Sequence, residues 1–256
     1  MRQLPGCLVI GFLSAVAGCT SNSSERFIFT ADLPPDFSYS AIAMYTPAKG
    51  ETCSIRVEDR PDLAFNRKWR REYKSESTIP LYRRVKGCRL SLYKIDLYIN
   101  GVYGNDYGDF GRDSTSVFIS DQFEQKYLGT FDITGKSILE GQCQWLFRTQ
   151  GPNRRLSKGV VCKKIDAEGN VIERRPVGAY TLDALPGKTI LLKITLASEE
   201  TPGWGDTWVK FPNGWKRCLG EGIQDQRGYC RGNYKDFSTF KMADGRNCTL
   251  YPTCTE

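Results

Sequence analysis

The sequence of 256 residues contains no histidine. This absence excludes a Ser-His-Asp triad, a Cys-His pair, histidine-ligated zinc or haem, and a histidine general base. The chain also lacks a Gly-x-x-x-x-Gly-Lys phosphate loop, a Gly-x-Ser-x-Gly nucleophile elbow and a Cys-x-x-Cys pair. The carboxylates are scattered, and Ser157-Lys158 falls inside a predicted strand. We therefore expect no enzyme activity, no cofactor and no metal ion.

The composition is that of a folded protein rather than a disordered one. Hydrophobic residues make up 40% of the chain and charged residues 25%, and the net charge is 36 − 29 = +7. The length allows one large domain or two small ones. An apolar run near the N-terminus, Cys7–Val16, is too short to cross a bilayer.

That run has the features of a secretory signal, since Arg2 precedes it and small residues follow it. The segment Val16-Ala17-Gly18-Cys19 resembles a bacterial lipobox. The resemblance implies a signal peptide over residues 1–18, an acylated Cys19, and a polar tether over residues 19–26. Because Thr20 rather than aspartate follows Cys19, it also implies anchoring in the outer membrane, facing the periplasm. The alternative is a buried N-terminal helix.

The cysteines then divide cleanly. The chain has ten of them; Cys7 leaves with the signal peptide and Cys19 carries lipid, so an even number remains in an oxidising compartment. We expect four disulfides. Hairpin register favours Cys143–Cys162, nearest-neighbour spacing favours Cys218–Cys230 and Cys248–Cys254, and Cys53–Cys88 would complete the set.

Helical periodicity is nearly absent, and short alternating segments recur between turn residues. Strands are predicted at 27–30, 39–45, 52–57, 68–73, 79–85, 89–102, 115–119, 142–148, 158–165, 171–174 and 190–196. In the long segment Arg89–Val102 the alternation changes phase near Tyr93-Lys94, which predicts a β-bulge or a crossing between sheets. The turn at 151–153 predicts a hairpin in which Cys143 faces Cys162.

This pattern favours an all-β fold, an antiparallel β-sandwich of immunoglobulin-like type over residues 27–200, with a barrel as the second choice. From residue 201 to 256 the chain is rich in glycine, tryptophan and cysteine and poor in aliphatic side chains. We expect a disulfide-rich subdomain packed on the sandwich.

One loop, Gly101–Asp113, suggests a binding surface. Tyrosine gives large contact area at low entropic cost, and the loop interleaves aromatics with glycine and aspartate. The partner-binding candidates in it are Tyr103, Asp106, Tyr107, Asp109 and Phe110. A calcium site formed by Asp106, Asp109 and Asp113 is an alternative, and so is a purely structural loop that covers the sheet end.

A second candidate surface is the tryptophan cluster of the C-terminal region. Trp204 and Trp208 are predicted to contact a partner, and with Trp215 they could stack on a glycan. The alternative is that all three form the core of a region with few aliphatic residues.

Basic residues form the third feature. They occur in short runs at 67–71, 83–84, 154–155, 163–164 and 174–175. In a periplasmic protein such runs suit anionic lipid headgroups or an acidic protein rather than nucleic acid, although they could equally be solvated strand faces.

The lipobox, the β-pattern and the cysteine-rich tail, with Trp208–Cys218 and Gly228–Cys230 as the most distinctive stretches, resemble periplasmic immunity lipoproteins of type VI secretion effectors, often phospholipases. The resemblance implies a palmitoylated outer-membrane protein that neutralises an effector by occlusion. It carries no catalytic residue. The alternatives are a structural lipoprotein that binds envelope proteins during assembly of a secretion complex, and a glycan-binding protein.

Overall fold

A computed structural model of the chain describes residues 25–59, 75–222 and 224–255. The predicted signal peptide, Cys19, most of the tether, the strand predicted at 68–73 and the basic run at 67–71 lie outside the described residues. The described residues form β-strands and two short 3-10 turns, at Gln125–Tyr127 and Leu182–Ala184, without an α-helix. The all-β prediction is confirmed.

The strands follow one another along the whole described chain. They are β1 Arg26–Asp32, β2 Phe37–Pro47, β3 Val57–Asp59, β4 Glu76–Pro80, β5 Tyr82–Val85, β6 Cys88–Val102, β7 Phe110–Ser120, β8 Lys136–Gln150, β9 Arg155–Ile165, β10 Val171–Ile172, β11 Gly178–Thr181, β12 Thr189–Leu196, β13 Thr201–Pro202, β14 Trp208–Phe211, β15 Gly214–Arg217, β16 Phe240–Lys241 and β17 Asn247–Cys248.

Two sheets pack face to face as a sandwich. The large sheet has the order β17-β16-β9-β8-β12-β1-β4, with β10 beside β9 and β13 beside β8, and the small sheet has the order β11-β7-β6-β2-β3, with β5 beside β6. Aromatic rings connect the two layers: Phe29 and Tyr39 lie 5.3 Å apart and Phe37 and Trp145 lie 5.5 Å apart, centroid to centroid. The buried faces of both sheets form one hydrophobic core.

The sheets are mixed rather than purely antiparallel. Strand β12 lies between β1 and β8 and runs parallel to both, and β11 runs parallel to β7. The reason is the path of the chain: after β10 it crosses to the small sheet to form β11 and then returns to the large sheet as β12. Such crossovers permit parallel pairing, whereas a tight hairpin enforces antiparallel pairing.

The predicted bulge in the long strand is confirmed. Met44 pairs with Lys94 but Tyr45 pairs with Leu92, so Tyr93 is the extra residue on β6. The bulge restores the phase of the alternation, because Leu92 and Ile95 on its two sides are both buried in the core.

The single strand predicted over 79–85 is instead divided between the sheets. β4 pairs with β1 in the large sheet, whereas β5 pairs with β6 in the small sheet. Leu81 lies between them and is buried; its N–H donates to Glu25 O and its C=O accepts from Leu92 N, each at 2.8 Å. The chain thus crosses from one sheet to the other at Leu81, and both backbone polar groups of this residue remain hydrogen-bonded. Of the strand predicted at 52–57, only Val57 is in a strand.

The C-terminal region, residues 201–255, extends the large sheet and has its own small core. β13 adds to β8, and β16 adds to β9. Along one face of β8, Trp145 contacts the sandwich core, whereas Phe147 contacts the rings of the C-terminal region. The β8–β9 hairpin is therefore longer than the small sheet that covers it, and the C-terminal region covers the remainder.

The four predicted disulfides are confirmed, with the pairs Cys53–Cys88, Cys143–Cys162, Cys218–Cys230 and Cys248–Cys254. Cys143 and Cys162 are opposite one another in the β8–β9 register, as the hairpin prediction required.

Candidate functional site

The loop between β6 and β7 is fixed by its own carboxylates. Asp109 is buried, and its Oδ2 accepts the backbone N–H of Asp106 at 3.1 Å. The guanidinium of Arg155, on β9, lies 2.8 Å from both Asp106 Oδ2 and Asp109 Oδ1, and the hydrogen bond to Asp109 raises the pKa of Arg155. The Asp109 side chain, predicted as a partner contact, thus holds the loop against β9.

The aromatic residues of the loop have different environments. Tyr103 packs edge-on against Trp145 at 5.7 Å, and burial raises the pKa of its hydroxyl. Phe110 is half-buried, with the Arg112 guanidinium 5.7 Å from its ring centroid. Tyr107 is 65% exposed, so it is the aromatic side chain of this loop that remains accessible to a partner.

The three aspartates considered for calcium do not converge. Asp113 is separated from the other two and binds across the sandwich: its Oδ2 accepts the backbone N–H of Cys162 at 2.7 Å. Its Oδ1 lies 3.2 Å from Arg175 Nη2. The cluster of ligand atoms found among the described residues is Glu51, Cys53 and Cys88, and both of its cysteines are in a disulfide.

The tryptophans belong mostly to the core of the C-terminal region. Trp208 is 7% exposed and makes edge-to-face contacts with Phe147 and Phe240, each at 5.0 Å. Trp215 also packs against Phe147. Trp208, predicted as a partner contact with the core as the alternative, lies in the core of a region poor in aliphatic residues.

Trp204 is half-buried, as is Trp215. The guanidinium groups of Arg148 and Arg227 each lie 4.7 Å from its ring centroid. Cations over the ring occupy surface that a sugar would need for stacking.

A polar cluster lies at the junction between the sandwich and the C-terminal region. Lys158 Nζ is 2.8 Å from Glu200 Oε1, and the Tyr251 hydroxyl donates to the other oxygen of Glu200. The ammonium also lies within 6 Å of the Tyr103, Trp145 and Tyr251 rings. Burial, followed by Glu200, raises the pKa of Tyr251. Lys158 and Tyr251 both bind Glu200, so this cluster joins the sandwich to the C-terminal region. Its role is structural.

One concave site is a groove at the β9–β10 end, lined by residues of both sheets and of the segments that join their strands. We call it the basic groove; its volume is about 940 Å³, and it is lined by Phe118, Phe123, Lys126, Tyr127, Lys164, Arg174, Arg175, Val177, Gly178 and Ala179. Four of these residues are cationic and none is acidic. A second depression of about 560 Å³ shares six of these residues and contains acidic side chains as well.

One wall of the basic groove is the segment after β10, which we call the strap (residues 173–177). Lys164 on β9 donates its N–H to Arg174 O, and Thr115 on β7 donates its hydroxyl to Pro176 O at 2.8 Å. Arg175 is held by Asp113, as described above. The strap is thus bonded to both sheets, and this fixes the path of its backbone.

The opposite wall is the segment that contains the first 3-10 turn, Gln125–Tyr127. It is held on β11, because Gly129 donates its N–H to Ala179 O at 2.8 Å. Gly129 lies so close to Tyr180 that a Cβ would come within 2.4 Å of the ring, so only glycine permits this contact. Tyr127 is 57% exposed at the groove.

Sequence reasoning found part of this site. The basic runs at 163–164 and 174–175 both contribute to the groove, whereas the run at 83–84 lies on β5 and does not line it. The aromatic lining from Phe118, Phe123 and Tyr127 was missed, because these residues lie on separate segments without a shared motif. Alternation along β7 was the available signal, since it places Phe118 on the outer face of the small sheet.

A membrane-spanning helix is absent from residues 25–59, 75–222 and 224–255.

Comparison with known protein families, with curated protein sequences and with solved structures found no match for this chain.

Proposed function

We propose that the protein is a lipid-anchored periplasmic binding protein that inhibits a secreted antibacterial effector by occluding it. The observation that carries the proposal is the basic groove, a concave site with four cations and no carboxylate in its lining, on a sandwich held by disulfides. Such a surface suits the binding of an acidic partner, since complementary charge accelerates encounter and excludes wrong partners.

A rigid binding surface favours stoichiometric inhibition. Both walls of the groove are bonded to the sheets, so little conformational entropy is lost when a partner docks. The polar clusters elsewhere, at Asp109 and at Lys158, are occupied by internal ion pairs. Without histidine the protein also lacks the side chain that ordinarily titrates near neutral pH, which suits constitutive protection.

The anchor follows from the resemblance to a lipobox. Acylation of Cys19 would hold the domain on the outer membrane, and the short polar tether would keep it close to the lipid. Restricting the protein to this surface raises its effective concentration where an effector meets the envelope.

The test is genetic and biochemical. Deleting the gene should sensitise cells to an effector encoded beside it, and the soluble domain (residues 25–256) should bind that effector with one-to-one stoichiometry. The Cys19→Ala variant should lose palmitate labelling, and the Cys7→Ala variant serves as the matched control that keeps it. Absence of both sensitisation and binding would overturn the proposal, as would capture of envelope-assembly proteins in place of an effector.

A further inference from the structure

We propose that the basic groove docks a segment of the partner protein in which carboxylates alternate with apolar side chains, and that Lys164 and Arg174 receive the carboxylates. The choice of a protein as occupant rests on the proposed function.

The cations of the groove are not equivalent. Lys126 pairs with Glu124 at 2.7 Å and Arg175 pairs with Asp113 at 3.2 Å. In the described part of the chain, neither Lys164 nor Arg174 has a carboxylate within ion-pair distance. The unbalanced positive charge of the groove therefore resides on these two side chains, both of which are exposed.

The two cations are also held next to each other. The Lys164 N–H donates to Arg174 O, so their backbones lie side by side although ten positions separate them along the chain. Glu173, the acidic neighbour in the strap, pairs with Lys163 at 2.6 Å. Its carboxylate is therefore not the counter-ion of Lys164 or Arg174. Two adjacent cations without counter-ions fit two carboxylates of one ligand, because charge-assisted hydrogen bonds to carboxylates are among the stronger ones.

The apolar lining distinguishes a peptide from a simple anion. Phe118 is 41% exposed, Tyr127 57% and Val177 41%. Apolar side chains of a docking segment would remove this surface from water, which favours the complex. Phosphate or a free carboxylate would contact only the cations and leave the aromatic surface wet.

The groove is recessed between two walls, whereas a bilayer surface is flat. A docking chain segment can enter it and reach Lys164 and Arg174 together with the aromatic residues. For this reason we assign the site to a protein segment rather than to anionic lipid.

The test uses the soluble domain and a fluorescent peptide in which aspartate and glutamate alternate with phenylalanine and leucine. We expect saturable binding that weakens as salt screens the charges. The double variant Lys164→Glu/Arg174→Glu should bind at least about ten-fold more weakly, which corresponds to 1.4 kcal/mol. The matched control is Lys49→Glu/Lys235→Glu, which changes the net charge equally at two exposed sites outside the groove lining and should bind like wild type.

Three comparisons can overturn the inference. Equal binding of a peptide with serine in place of phenylalanine and leucine would show that charge alone is recognised. Competition by vesicles of phosphatidylglycerol, without binding of the peptide, would assign the groove to lipid. An unchanged affinity of the double variant would place the peptide elsewhere. Near-equal thermal unfolding of the double and control variants excludes misfolding as a cause.

The outcome is separable from that of the proposed function. If cells are protected by the protein but the peptide does not bind, the groove assignment fails and the immunity function stands. If the peptide binds the groove but the gene gives no protection, the groove assignment stands and the immunity function fails.

Discussion

The sandwich and the C-terminal region reach a folded state by different means. The sandwich buries aliphatic residues such as Leu97, Ile99 and Ile190 on alternating strand positions. The C-terminal region instead stacks the rings of Trp208, Phe240 and Tyr251 on the end of the β8–β9 hairpin. Where aliphatic side chains are few, aromatic contacts and disulfides replace a continuous core.

The contrast is sharpest at Arg217, whose side chain is fully buried in the C-terminal region. Its guanidinium donates to the Thr149 and Ser238 hydroxyls at 2.7 and 2.8 Å and to the backbone carbonyls of Cys218 and Gln226. Burial lowers the pKa of Arg217 to about 10, so it remains charged at neutral pH. The C-terminal region therefore has a fully buried, hydrogen-bonded cation next to its aromatic core.

Gly228 belongs to the same arrangement. A Cβ at this residue would lie 2.5 Å from the guanidinium of Arg217, and its φ of +69° favours glycine. The loop carrying Gln226 can close over Arg217 only because this position has no side chain.

The largest effect is expected from Arg217→Met. The substitution removes the donors that satisfy several buried oxygens in β8 and in the C-terminal region. Because each unsatisfied buried oxygen costs about 1–3 kcal/mol, we expect a loss of about 3–5 kcal/mol of unfolding free energy. Chemical denaturation measures the loss, and limited proteolysis should show cleavage after residue 201 first. Arg246→Met, at an ion pair whose arginine is 60% exposed, is the control and should cost less than about 1 kcal/mol. If the two variants unfold with equal free energy, the buried guanidinium of Arg217 does not stabilise the C-terminal region.

The next effect concerns the disulfides. Serine substitution of both Cys218 and Cys230, or of both Cys143 and Cys162, should each cost about 3 kcal/mol, because chain-entropy estimates change slowly with loop length. The consequence should differ between the regions. The first variant should expose the C-terminal region to protease, whereas the second should keep a protected sandwich with a lower Tm, since its aliphatic core is intact. If the two variants give identical cleavage patterns, the C-terminal region does not depend on its disulfides more than the sandwich does.

The smallest effect is a pH dependence in the sandwich. Burial raises the pKa of Tyr39 to about 12 from its ordinary value of 10.0. Its unfolded form loses the proton first as pH rises, so the contribution of Tyr39 to stability is complete below pH 10 and is lost as pH rises to about 12. A shift of this size corresponds to about 2–3 kcal/mol. Tyr39→Phe should reduce the slope of unfolding free energy against pH over this range; an unchanged slope would contradict the assignment.

The sequence pattern predicted those structural features that depend on residues close together in the chain. Alternation located β6 and its bulge, because a change of phase can be seen within a few residues. Hairpin register placed Cys143 opposite Cys162 for the same reason. The division of 79–85 between two sheets was missed, since Leu81 looks like any other apolar strand residue until Glu25 and Leu92 are seen to bond it from different layers.

The candidate site was predicted in fragments. Basic runs at 163–164 and 174–175 were recognised, but nothing in their composition relates them to Phe118 or Tyr127. Asp109 and Trp208 looked like surface residues because aspartate near glycine and tryptophan near glycine are typical of binding loops. Their burial depends on Arg155 and on Phe147, which come from distant strands.

The sequence alone determined the all-β class and the lack of any histidine chemistry, because alternation and composition act locally or over the whole chain. It favoured the four disulfide pairs through cysteine spacing, and the structure has the same pairs. Only the tertiary structure placed β12 between β1 and β8 and brought Lys164 beside Arg174. Those arrangements depend on contacts between residues far apart in the chain, where hydrophobic burial is non-directional and many pairings bury similar area. The strap, which is bonded to both sheets, brings Arg174 beside Lys164 in the lining of the basic groove.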